Sequence, residues 1–155
     1  MNTRNIVIGA VIVVIGLGAV WFAMSDYGAS LFGEKTRGIT YNNADDSLIK
    51  LDLIRPGVTV LPHFTVTGQA RGTWYFEASF PVEVVAADGR QLAMGIAQAQ
   101  GEWMTEEFVP FAAQVELTED YSGAAKLILH KDNPSGEAAN DASIELPIEI
   151  LDIQQ

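Results

Sequence analysis

From Leu48 onward, apolar residues fall on alternate positions almost everywhere, and turn residues interrupt the alternation at regular intervals. Successive side chains of an extended chain point to opposite faces, so each run predicts a strand with one buried face. Ile49, Leu51 and Leu53 alternate with Lys50 and Asp52, and Pro56-Gly57 then turns the chain. Phe64, Val66 and Gly68 make the next run. The densest stretch is Gly68 to Phe80, where Trp74, Phe76, Ala78 and Phe80 share one face and Tyr75, Glu77 and Ser79 the other. Three large aromatics on one face make it the expected central strand, with Trp74 inward and Tyr75 outward. Gly72 permits a tight turn ahead of it, and the strand is expected to run past Pro81 through Val82, Val84 and Ala86.

Asp88-Gly89 is a hairpin signal, after which Leu92, Met94 and Ile96 are expected to face inward. Three further one-sided runs follow: Val109 to Leu117, Ala125 to Leu129, and Ile144 to Ile150 with Pro147 marking an edge. Asn133-Pro134-Ser135-Gly136 reads as a type I turn between the last two. About seven strands with regular turns and no helical period predict an all-β two-sheet sandwich over residues 48–155, with a small closed barrel as the alternative.

The N-terminal pattern is different. Ile6 to Met24 contains no charge or strongly polar group. At about 1.5 Å per residue a helix of that length just crosses a hydrocarbon core of about 30 Å. Trp21 and Phe22 lie near one end of the run, Arg4 precedes it and Asp26 follows. Residues 1–25 are therefore expected to be a single transmembrane anchor held in the bilayer through 6–24, with the N-terminus cytoplasmic and the rest outside. The competing reading is a signal peptide cleaved near Ala23-Met24-Ser25, which would leave a secreted domain. Gly9, Gly16 and Gly18 offer small residues but no GxxxG, so a monomeric anchor is expected. Residues 26–47, rich in Gly, Ser, Asn and Asp and ending in Asn42-Asn43-Ala44-Asp45-Asp46, read as a flexible linker.

Composition removes several function classes. The chain has no Cys, which excludes a disulfide framework and a thiol nucleophile. All twenty acidic residues lie after position 24 with only eight basic ones, a net charge of −12 that repels nucleic acid and anionic headgroups alike. No nucleic-acid partner is expected.

Candidate chemistry is sparse. His63 and His130 stand at strand ends without a second His at ligand spacing, and no Ser lies in a nucleophile-elbow pattern. Glu77, just after Arg71 and flanked by aromatics, is the one carboxylate that invites an acid role, in a hydrolase acting on envelope glycan. The plainer reading places it on the outer sheet face or in a pair with Arg71. Asp132, Asn133, Asn140 and Asp141 put four oxygen-bearing side chains around one loop, but without an Asp-x-Asp-x-Asp-Gly order they read as turn formers and not calcium ligands. No catalytic residue, metal site or cofactor is expected.

Three ordered blocks carry a resemblance. Gly68-x-Ala70-x-Gly72-x-Trp74-x-Phe76-Glu77-Ala78-x-Phe80 resembles the immunoglobulin-like domain of bacterial spore germination, the second of the GerMN-associated domains. Gly101-Glu102-Trp103-Met104-Thr105 with Phe108-Val109-Pro110-Phe111 is similar to its second block, and Lys131 to Gly136 with Asn140-Asp141 to its third. The resemblance spans 48–150. It implies an immunoglobulin-like sandwich outside a bacterial membrane, without known catalytic residues, and so a non-enzymatic module binding an envelope protein or a cell-wall polymer. A pilin-like subunit ranks last, because no acidic residue interrupts 6–24 and no processing glycine-phenylalanine site precedes it.

Overall fold

Nine strands and two 3-10 turns make up the regular structure of residues 38–151, the residues described in the computed structural model. They belong to one compact unit beginning at Gly38. Among the described residues no helix is long and apolar enough to cross a membrane. The expected membrane helix, 6–24, lies outside them.

The strands are β1 (Thr40–Asn42), β2 (Ile49–Leu51), β3 (Val58–Val60), β4 (His63–Arg71), β5 (Ser79–Ala86), β6 (Gln91–Ala99), β7 (Phe108–Glu116), β8 (Gly123–His130) and β9 (Ser143–Ile150). The two-sheet expectation is corrected in one respect. Hydrogen bonding follows a single path, β1-β9-β8-β5-β6-β7-β4-β2, with β3 also beside β9. The layers stay joined because β6 pairs with β5 along Ser79–Val85 and with β7 through Ala97, Gln98 and Ala99. The sheet thus curls around one all-β core. Its centre is a chain of edge-on rings: Trp74 against Phe80 (6.4 Å between centroids), Tyr75 against Phe80 (5.2 Å) and Phe80 against Phe111 (4.9 Å). Such contacts add about 0.5–1.5 kcal/mol each beyond their burial.

The predicted inward faces of β5, β7, β8 and β9 are the buried ones, from Phe80, Val82 and Val84 through Ile144, Leu146, Ile148 and Ile150. Four expectations fail, each for a local reason. Gly68 to Phe80 is not one strand: β4 ends at Arg71, Gly72–Trp74 forms a 3-10 turn, and the chain reverses at Glu77-Ala78 before β5. Leaving the period of two turns Tyr75 inward beside Trp74, at 5% exposure, and puts Phe76 outside at 42%. In β6 the register slips opposite Val84/Val85, so Leu92 is an extra residue. Both Leu92 and Ala93 are then buried, and the following alternation is inverted: Gly95 and Ala97 face in, Met94 and Ile96 face out. Leu53 lies beyond the end of β2 and is 79% exposed.

The fourth failure concerns the linker. Thr40–Asn42, read as part of it, is β1 and pairs antiparallel with Ser143–Glu145 of β9. Tyr41 packs on the core and Asn42 Nδ2 donates to Ser143 Oγ (3.1 Å) and Glu145 Oε1 (3.0 Å). β3 runs parallel beside Ile148–Ile150 of the same strand, so Pro147 sits at the changeover between its two partners.

Candidate functional site

The three sequence blocks converge on the Gly72–Trp74 turn. A Cβ at Gly72 would collide with the carbonyls of Trp103 and Thr105, and one at Gly68 with the Lys50 carbonyl and the Phe111 ring. Only glycine lets those segments approach. Gly72 N donates to Glu107 O (3.2 Å), Asp132 N to Trp74 O (3.0 Å) and the Tyr75 hydroxyl to Val109 O (2.7 Å). Burial pushes the Tyr75 hydroxyl up to about 12. Arg71 does not pair with Glu77. Its guanidinium lies over the Phe108 ring at 4.1 Å, donates to Ser47 O and Glu106 O, and meets Glu107 at 3.7 Å. The blocks are therefore a structural keystone where strand ends and loops lock together.

The residues with chemical potential are dispersed. Glu77 is exposed at the tip of a two-residue hairpin, where Phe76 and Ser79 exchange both backbone hydrogen bonds (3.0 and 3.1 Å). Its φ of 50° and that of 64° at Ala78 are left-handed, a conformation that usually selects Asn-Gly. His63 is exposed, and His130 Nε2 meets Glu83 Oε2 at 3.1 Å. In the Asp132–Asp141 loop, Asn133 Nδ2 donates to Glu137 O (2.8 Å) and Asp141 Oδ1 (2.7 Å), and Asn140 Nδ2 to Ser135 Oγ (3.0 Å). Those side chains hold the turn. Among the described residues no group of three His, Cys, Asp or Glu is placed to hold a metal.

Two surfaces remain. The first is the outer face of β5, β6 and β8. Residues paired directly across strands share a face. Phe76 stands beside Ser79, which pairs with Gln98; Pro81 pairs with Ile96; Glu83 pairs with both Met94 and Ile128. Phe76 (42% exposed), Ile96 (49%) and Met94 (50%) thus form an outward apolar strip, with Pro81 half-buried among them. Sequence periodicity assigned all three to the core, because neither the 3-10 turn nor the Leu92 bulge carries a local sequence signal.

The second surface is a polar pocket of about 310 Å³ between the end of β1, the end of β8 and the start of β9. Asn42, Asn43, His130, Lys131, Asp141 and Ser143 line it, with Ala142. Of these, the sequence offered only His130 and Asp141 as candidate chemistry. Asn42 and Ser143 become neighbours only through the β1–β9 pairing, which a polar Thr-Tyr-Asn strand does not announce.

Comparison with known proteins fits this arrangement. No curated protein and no solved structure matches the chain. A family profile described as the immunoglobulin-like domain of bacterial spore germination matches residues 55–138, more than half of the chain and the span that holds the keystone and the outward strip. With the three blocks interlocked in an all-β immunoglobulin-like unit, the chain belongs to the family of immunoglobulin-like domains of bacterial spore germination.

Proposed function

We propose that this chain is a non-enzymatic binding module, held outside a bacterial cell membrane by residues 6–24, that grips an envelope protein through the outer face of β5 and β6. The outward strip Phe76, Met94 and Ile96 carries the reading. Three large apolar side chains exposed together, on a domain able to bury them, mark an interaction surface. The strained Glu77-Ala78 turn that presents Phe76 supports it, since residues held in disfavoured backbone regions gather at functional positions.

Charge chooses the partner. Residues 38–151 carry seventeen acidic and six basic residues, so a partner with an apolar centre and a basic rim is complementary, and an anionic lipid surface is not. The hydropathy of 6–24 and the charge asymmetry across it support the anchor. The exposure of Glu77, without a side-chain partner among the described residues, speaks against the hydrolase alternative.

The test is photocrosslinking in membranes with the probe at Ile96 or, as a control, at exposed Thr65. Adducts to one basic protein from Ile96 alone, lost in Phe76→Asp and declining as salt rises, are the expected result. Equal adducts from both positions would remove the strip as the interface. A reporter active only outside the cytoplasm, fused after Gln155, should be active while the protein stays with membranes at full mass. A soluble product beginning near Asp26 would replace the anchor with a secreted domain.

A further inference from the structure

The polar pocket beside β1 shares no lining residue with the outward strip, and its hydrogen-bond inventory specifies a ligand. Asn42 Nδ2 donates to Ser143 Oγ and Glu145 Oε1, and Asn43 Nδ2 donates to Asp141 O at 2.9 Å. A carboxylate and a peptide carbonyl only accept, so both amides are oriented; the Asn42 NH2 is spent on the protein, and Asn43 keeps one N–H. Each leaves its Oδ1 without a partner among the described residues. Asp141 Oδ1 is taken by Asn133, which leaves Oδ2 in the same condition. On the donor side, Lys131 Nζ reaches Asn140 O only at 3.4 Å and keeps donors to spare. Asn43 is held at φ 48°, a left-handed conformation that the Asp141 contact secures.

Three open acceptors stand around one pocket with several donors, the Lys131 ammonium, the second N–H of Asn43 and the Ser143 hydroxyl, and the mixture discriminates among ligands. An anion would face two amide oxygens and a carboxylate. A cation would face the Lys131 ammonium. A neutral ring of hydroxyls satisfies both kinds of group, because each hydroxyl donates one hydrogen bond and accepts others. About 310 Å³ is at the small end of ligand sites and suits one such ring. We propose that this pocket is a glycan subsite that takes a single neutral, hydroxyl-rich sugar ring through Asn42, Asn43, Lys131 and Asp141.

The experiment uses the full chain in lipid nanodiscs and saturation-transfer NMR with N-acetylglucosamine and with glucose. At least one sugar should give saturable transfer with a dissociation constant of about 1–10 mM, as expected of a one-ring site without a large apolar contact. Asn43→Gly removes an open acceptor while glycine accepts the left-handed backbone, and it should weaken binding about tenfold. Lys131→Gln, a surface change that leaves β8 intact, should weaken it as well. The proposal is overturned if neither sugar saturates at about 50 mM, or if both variants bind as the parent does. It is overturned equally if calcium chloride alone raises the melting temperature while the sugars give no transfer, because the open oxygens would then be a cation site. Failure here leaves the protein-binding face untouched, since no residue of the strip lines the pocket.

Discussion

Replacing Tyr75 by Phe deletes one oxygen from the middle of the keystone, and its cost follows from two features. The hydroxyl donates to Val109 O at 2.7 Å in a side chain only 5% exposed. Val109 O also faces Ala70 across the β4–β7 ladder, so removing the hydroxyl costs about one net hydrogen bond, about 0.5–1.5 kcal/mol near neutral pH. The second feature is protonation. Burial holds the native hydroxyl at about 12, above its ordinary value of 10.0. The folded state therefore binds this proton more tightly than the unfolded state does. The resulting stability is complete below about pH 10, declines as pH rises, and is gone above about pH 12. Two pH units correspond to about 2–3 kcal/mol. With a urea slope of about 1–2 kcal/mol/M, the parent midpoint should fall by about 1–2 M over that window from this residue alone. Every other titratable group is common to both proteins. The quantity to measure is the difference in urea midpoint between parent and Tyr75→Phe, followed by fluorescence on residues 38–155. It should be positive at about pH 8 and shrink or change sign by about pH 12. A difference that stays constant over that range would show that the hydroxyl is not buried against Val109.

Two further predictions test the same region. Trp74→Ala should cost about 3–5 kcal/mol in urea unfolding and Tyr75→Ala a comparable amount, whereas Phe76→Ala should cost less than about 1 kcal/mol; a large loss at Phe76 would refute its outward placement. Glu77→Asn combined with Ala78→Gly should raise stability by about 1 kcal/mol by matching the left-handed turn, and a lower melting temperature would show that the turn is of another type.

The parts of this fold that sequence could and could not reveal divide on locality. β7, β8 and β9 were legible because nothing interrupts their period of two, and each buries the residues it predicted. β6 was misread because one extra residue at Leu92 inverts every later side chain, and a bulge leaves no mark on residue types. Gly68 to Phe80 was misread because the reversal uses Glu-Ala where Asn-Gly would have announced it. A pair between Arg71 and Glu77 was one of two plain readings, but Arg71 reaches Glu107, a choice made by the β4–β7 register. The candidate surfaces suffered most. The outward strip consists of residues that those two events expelled from the core, and the pocket joins side chains about a hundred positions apart.

β1 gives the domain a mechanical property. Any pull transmitted along the chain from residues before Gly38 enters the fold through Thr40–Asn42, three residues zipped to the rim of β9. The load therefore meets one of the shortest strands first, while the aromatic rings at the centre lie many hydrogen bonds away. Peeling β1 would withdraw Asn42 and Asn43 from the pocket and bare the first half of β9, yet leave Phe80, Trp74 and Phe111 packed. Tension would thus open the pocket before it unfolded the domain, and the outward strip on β5 and β6 would keep its shape throughout.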